Sequence, residues 1–229
     1  MAQTEDGPIS GSAASRRVMF YSHDTFGLGH LRRSRALASA LTEGDDNASA
    51  IILTGSPVAG RFTFPERVDH IRLPGVTKLP DGSYISQTLG LDIDRTTALR
   101  AGLIQSAVEQ YQPDLLIVDK EPTGFRGELL TTLEWLRKEG RTRVVLGLRD
   151  VLDEPEVLAA EWDRKGAVEA TERYYDEIWV YGVRDVYDPS EGLPLSEAAR
   201  ARMHWTGYLR REVTDATDTP DHPYVLITP

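Results

Sequence analysis

Short apolar runs alternate with helical stretches along most of this chain, and no other feature narrows the fold so far. Residues 18–21, 50–53, 68–73, 115–118, 144–148 and 178–181 are runs with the length and composition of buried strands. Amphipathic stretches lie between them. Leu99, Leu103, Ala107 and Tyr111 recur at four-residue spacing, and Ile104 and Val108 widen the stripe. Leu129, Leu130, Leu133 and Leu136 form a second stripe, stopped by Gly140. Pro155 stands where a first-turn proline opens a third helix after Asp153 and Glu154, and Gly166 is placed to break it. Strands that alternate with helices of this length pair in parallel through right-handed crossovers. The expected fold is α/β, a doubly wound parallel sheet.

Two regions depart from this rhythm. Residues 74–94 are rich in Pro, Gly, Ser and Asp, and read as a long loop leaving the carboxyl end of its strand. That is the edge where open α/β sheets bind ligands, and loops of this length are commonly functional. At the other end, residues 203–209 read as a last short strand and turn, and residues 210–223 as a polar linker. Residues 224–229 then resume an apolar strand. A lone strand after a linker has no sheet to join, so it is expected to be the first strand of a second domain absent from this chain. Residues 1–16 are polar, rich in small residues and without an apolar core, and read as a disordered leader rather than a secretory signal.

Composition removes several classes of function. The chain has no cysteine, so thiol catalysis, disulfides and thiolate metal sites are out. A formal charge of −10 argues against general nucleic-acid binding, which needs a basic surface. No apolar stretch approaches the roughly 18–20 residues that span a bilayer.

The loop after the first strand carries the chemistry. Residues 18–30 run from strand through Gly27-Leu28-Gly29 to His30, and a helix follows from Leu31. A strand, a tight glycine turn and a helix N-terminus gather free N–H groups and a positive dipole end, a setting for an anion. Arg32 occupies the third position of a dinucleotide-type glycine pattern, and no carboxylate follows the second strand, where Thr54 and Gly55 stand. Both departures weigh against a nicotinamide enzyme, and no Gly-Lys-Ser/Thr is present for a P-loop. Arg32, Arg33 and Arg35 form either a solvated basic helix face or a phosphate-attracting rim.

The segment SHDTFGLGHLRRS at residues 22–34 resembles the first glycine loop of glycosyltransferases of the GT-B fold. The resemblance is to the group that holds the peptidoglycan N-acetylglucosaminyltransferase, plant galactolipid synthases and related bacterial proteins. DKEPTG at 119–124, GLRDVLD at 147–153 and WTGYL at 205–209 resemble later strand-end motifs of the bacterial group. The likeness spans about residues 17–209 and implies a Rossmann-like domain, the N-terminal half of a GT-B architecture. In that family the turn at 205–209 closes the acceptor-binding domain, and the next strand opens the nucleotide-sugar domain.

The resemblance implies metal-independent, inverting hexosyl transfer from a nucleotide sugar to an acceptor hydroxyl, with no cofactor and with little activity in this half alone. His30 would lie near the acceptor hydroxyl and take its proton; histidine suits that task, the competing role being to cap the helix or satisfy the turn. Asp119, directly after a buried strand, would orient the base or bind sugar hydroxyls, against a plain helix-capping role. Substrate contacts would come from Gly27, Leu28, Gly29, Arg32, Glu121, Thr123, Gly124 and Arg149, the last meeting a phosphate-bearing or lipid-linked acceptor. Asp150 reads as a structural partner of Arg149, and Asp24 as a turn stabiliser. Trp135, Trp162, Trp179 and Trp205 are expected in packing. The family also implies a cytoplasmic protein with peripheral contact at the inner membrane face, though no basic amphipathic helix supports the contact. Two other functions remain: a sugar-nucleotide epimerase or hydrolase, and a non-catalytic module binding an anionic sugar or lipid.

Overall fold

The computed structural model describes residues 16–23, 28–152 and 154–209, together with 223 and 225. Residues 1–15 of the expected leader, nearly all of the linker, and the strand expected at 224–229 therefore lie outside the described residues, as do Asp24 and Gly27.

Each apolar run forms a strand. These are β1 (Arg16–Ser22), β2 (Ala48–Thr54) and β3 (Val68–Arg72), then a hairpin of β4 (Val76–Lys78) and β5 (Tyr84–Ser86). After the hairpin come β6 (Leu115–Asp119), β7 (Arg143–Arg149), β8 (Glu177–Tyr181) and β9 (Met203–Trp205). The main sheet is ordered β3-β2-β1-β6-β7-β8-β9, and every pairing in it is parallel. The helices between them are α1 (Gly29–Gly44), α2 (Ile93–Tyr111), α3 (Leu130–Glu139), α4 (Pro155–Arg164), α5 (Ala167–Tyr174) and α6 (Glu197–Arg200). The doubly wound α/β expectation holds.

Both faces of the sheet are buried, which is why the central strands are apolar throughout rather than alternating. On β1, Met19 and Tyr21 join the larger core with Ile104, Val108, Leu116, Leu133 and Leu136, whereas Val18 and Phe20 face α1 through Leu31 and Ala38. The punctuation residues act as expected. Pro155 is the first residue of α4, Gly166 turns left-handed between α4 and α5, and Gly140 closes α3 with its N–H on the Leu136 carbonyl. All four tryptophans pack against the two cores, Trp162 being the most deeply buried.

Two expectations need correction. The segment 74–94 is no plain loop: β4 and β5 pair antiparallel around Pro80, Asp81 and Gly82, and Gly82 takes φ +83°. Asp81 receives the Ser83 N–H, the local side-chain bond that makes Pro-Asp-Gly a turn former. The stripe on α2 is also one residue out of phase. Leu99 and Leu103 are 41% and 40% exposed, and the helix buries Thr96, Arg100, Ile104 and Val108 instead.

A buried charge sets that phase. Arg100 donates to both carboxylate oxygens of Glu128 at 2.6 Å each, and to the Pro74 carbonyl at 2.7 Å. The Tyr21 hydroxyl donates to Glu128 at 2.7 Å and accepts the Phe125 N–H at 2.9 Å. Burial and the Glu128 charge push the Tyr21 phenol well above its ordinary range, so it stays a donor. Removing one member of a dry pair leaves the other uncompensated. Glu128→Ala is expected to lower stability by about 3–5 kcal/mol, read by urea unfolding; a loss below about 1 kcal/mol would show that water replaces the carboxylate.

Candidate functional site

The strand order reverses between β1 and β6, since the chain moves outward from β1 through β2 and β3 and returns to the other side with β6. Ligand crevices of open α/β sheets form at the carboxyl ends of such neighbouring strands. β1 delivers Ser22 and His23 to that crevice, β6 delivers Asp119, and α1 starts there with Leu28, Gly29 and His30. Leu28 is the N-cap of α1 and gives it no side-chain bond.

Asp119 and His30, 89 positions apart, meet across the crevice. His30 Nδ1 lies 2.6 Å from Asp119 Oδ2, with side-chain exposures of 18% and 4%. An ionised carboxylate only accepts, so Nδ1 is the donor in this contact, and Nε2 is the ring nitrogen that Asp119 does not engage. Asp119 caps no helix. Its other oxygen, Oδ1, accepts Arg33 Nη1 at 2.6 Å.

Arg33 is the residue that the sequence pattern missed. It lies one turn after His30, turned inward beneath Asp119, while Arg32 is exposed and Arg35 stacks on Phe62 at 5.5 Å. Helical phase from His30 would have separated it from its neighbours, because i and i+3 share a face. The Arg33 guanidinium also sits 5.4 Å from the centre of the Tyr181 ring. Tyr181 reaches across Gly147 on β7 towards Asp119, and its phenol is pushed above the ordinary range by burial and by the Asp119 charge, with Arg33 opposing. A Cβ on Gly147 would stand 2.2 Å from the Tyr181 hydroxyl. Gly147→Ala should therefore expel the ring and cost about 1–3 kcal/mol, whereas the Tyr181→Leu, Gly147→Ala double variant should recover part of that loss in urea unfolding.

The remaining expected residues fall around this cluster. Glu121 is buried, and Lys165 Nζ reaches its Oε2 at 2.8 Å and also binds Glu161. Thr123 is buried, its carbonyl taking the Leu129 N–H. Gly124 has φ +70°, and a Cβ there would press on Leu129 at 2.7 Å, so the turn itself requires the glycine. Arg149 is exposed at the end of β7. Asp150 does not pair with it: the Asp150 carboxylate accepts the Tyr208 hydroxyl and the Val151 N–H, both at 2.8 Å, which joins the 147–153 and 205–209 segments. A cavity of about 650 Å³ opens between Lys78 and α4, lined by Glu156, Val157, Ala160, Glu161 and Arg164. Another, of about 480 Å³ around Arg143 and Val144, lies at the amino ends of the strands, away from the crevice.

His23 stands edge-on to His30 with ring centres 5.9 Å apart, and its Nδ1 is buried with no hydrogen-bond partner among the described residues. Burial first, then the neighbouring His30 ring and the positive side chains of Lys120 and Lys165, hold His23 well below its ordinary value of 6.5. The fold thus needs a neutral ring. Its contribution is complete above the unfolded value near 6.5 and is lost as pH falls towards the depressed folded value. Denaturant midpoints should drop between about pH 7.5 and pH 5 in the wild type and drop less in His23→Gln; equal slopes would remove His23 as the cause.

No family model matches the chain, and no curated protein matches it. Solved structures do. The glycosyltransferase of kitacinnamycin superposes at a TM-score of 0.55 and 14% identity, covering 92% of this chain and 56% of that one. A UGT transferase from Siraitia grosvenorii, in complex with UDP, gives 0.49 and 13% over 84% and 50%. MurG of Acinetobacter baumannii gives 0.47 and 13% over 87% and 47%. The fold is that of a GT-B glycosyltransferase domain, as expected for the N-terminal one. The chain spans about half the length of these structures. Among the described residues, no helix is long and apolar enough to cross a membrane.

Proposed function

We propose that this chain is the acceptor-side half of an inverting, metal-independent glycosyltransferase acting on a nucleotide sugar. The observation that carries the reading is the 2.6 Å contact between His30 Nδ1 and Asp119 at the strand-order reversal, which orients the ring and assigns the role of base to Nε2 in this reading. In the reaction the acceptor hydroxyl oxygen attacks the anomeric carbon as the bond from that carbon to the phosphate oxygen breaks. The hydroxyl proton passes to His30 Nε2, the electron pair leaves with the nucleoside diphosphate, and Asp119 stabilises the imidazolium. The cavity beside Lys78 and α4 is the acceptor space in this reading, and Glu121 shapes its wall through Lys165 and Glu161.

The second domain, which would hold the nucleotide, is part of the same proposal, and the half-length match to GT-B structures supports it. So is a cytoplasmic site of action, with an acceptor presented from the membrane face. The test is to assay the intact protein against a panel of nucleotide sugars with lipid-linked and soluble acceptors. Wild-type transfer is expected, with His30→Ala and Asp119→Asn each lowering kcat by about 10²–10⁴-fold while donor binding persists. Full activity in His30→Ala would remove the base from the mechanism, and activity of residues 1–229 alone would remove the two-domain version.

A further inference from the structure

The two donors on Asp119 do different work. A carboxylate removed from water needs a positive partner close by. Arg33, whose guanidinium is always charged, is that partner, with Nη1 at 2.6 Å and only 14% of its side chain exposed. The face of Tyr181 backs the guanidinium at 5.4 Å, and the missing side chain of Gly147 leaves room for the ring. His30 therefore has only to donate one hydrogen bond; it need not become imidazolium to satisfy Asp119.

We propose that Arg33 is a positioning residue for the transfer reaction: by neutralising Asp119 it keeps His30 singly protonated, with Nε2 open to the acceptor proton. The proposal rests on His30 being the base. The groups facing His30 are Asp119 from β6, Arg33 from its own helix and His23 from the end of β1, with Tyr181 of β8 beyond Asp119. Asp119 is the one anion among these described neighbours. Removing the Arg33 charge thus moves the balance in a single direction, towards a second proton on the ring.

The test reads the ring directly in residues 1–229 labelled with ¹⁵N-histidine, and His30→Gln assigns the signals. At about pH 8, above the ordinary histidine range, the wild-type His30 ring is expected to carry one proton, on Nδ1. Arg33→Met and Arg33→Gln are expected to retain the second proton at that pH, and Arg33→Lys, which keeps the charge, to restore the wild-type pattern. Gln preserves a donor of similar size, so it serves if Met prevents folding. A wild-type ring pattern in a folded Arg33→Gln chain would overturn the proposal, because a purely structural arginine leaves ring protonation unchanged. In the intact protein the same variant should move the acidic limb of the kcat profile to higher pH with little change in KM. Absence of transferase activity in the intact wild type would overturn the function while the ring spectra still decide the role of Arg33.

Discussion

The buried ion pair of Arg100 and Glu128 is the interaction on which the rest of the molecule depends. Through Tyr21, Phe125 and the Pro74 carbonyl it ties α2, the central strand and the segment after β6 to the root of the β4–β5 hairpin. It lies directly behind the crevice, on the opposite face of the sheet from His30 and Arg33. The path from Asp119 to Glu128 is irregular, with left-handed backbone at Lys120, Gly124 and Arg126. Such a path keeps its shape only where surrounding bonds over-determine it, and Glu128 is the anchor at its far end.

The cluster around Asp119 is built from the fold by position alone. His30, Arg33, Asp119 and Tyr181 come from a helix start and two strand ends, and parallel pairing brings those ends to a common edge. Register completes the arrangement: Asp119 stands beside Gly147, and Tyr181 beside Arg149, so Asp119 and Tyr181 project from the same face of the sheet. The polar groups of the site form the top layer of the core that α1 covers, with Ile117, Val145 and Phe20 beneath. Burial of the carboxylate is thus a consequence of its place in the stack.

The strands were legible in the sequence because they depend on local signals, apolar runs bounded by turns. His30 after a glycine turn and Asp119 at a strand exit each stood out singly, but their contact, 89 positions apart, appears only in the fold. Arg33 did not stand out, since a run of arginines on a helix reads equally well as solvated, and only the helical phase from His30 separates the inward one. The phase of α2 was misread for the converse reason. Leu99 and Leu103 look like core residues, and nothing local marks Arg100 as buried until Glu128, 28 positions later, is brought to it. Tyr181 ends an apolar strand and passes for packing. The hairpin was signalled by Pro80-Asp81-Gly82, but its strands are only three residues each, too short for alternation to show.

The contact between Gly147 and Tyr181 ties the histories of two positions on neighbouring strands. A chain descended from the same ancestor that gains a side chain at the first must give up the aromatic ring at the second, and with it the platform under the arginine. The change cannot be made in two independent steps without an intermediate that is overpacked or hollow. Across relatives, the pair should therefore be kept or lost together, and its loss should mark lineages in which the carboxylate at position 119 is balanced by some other charge.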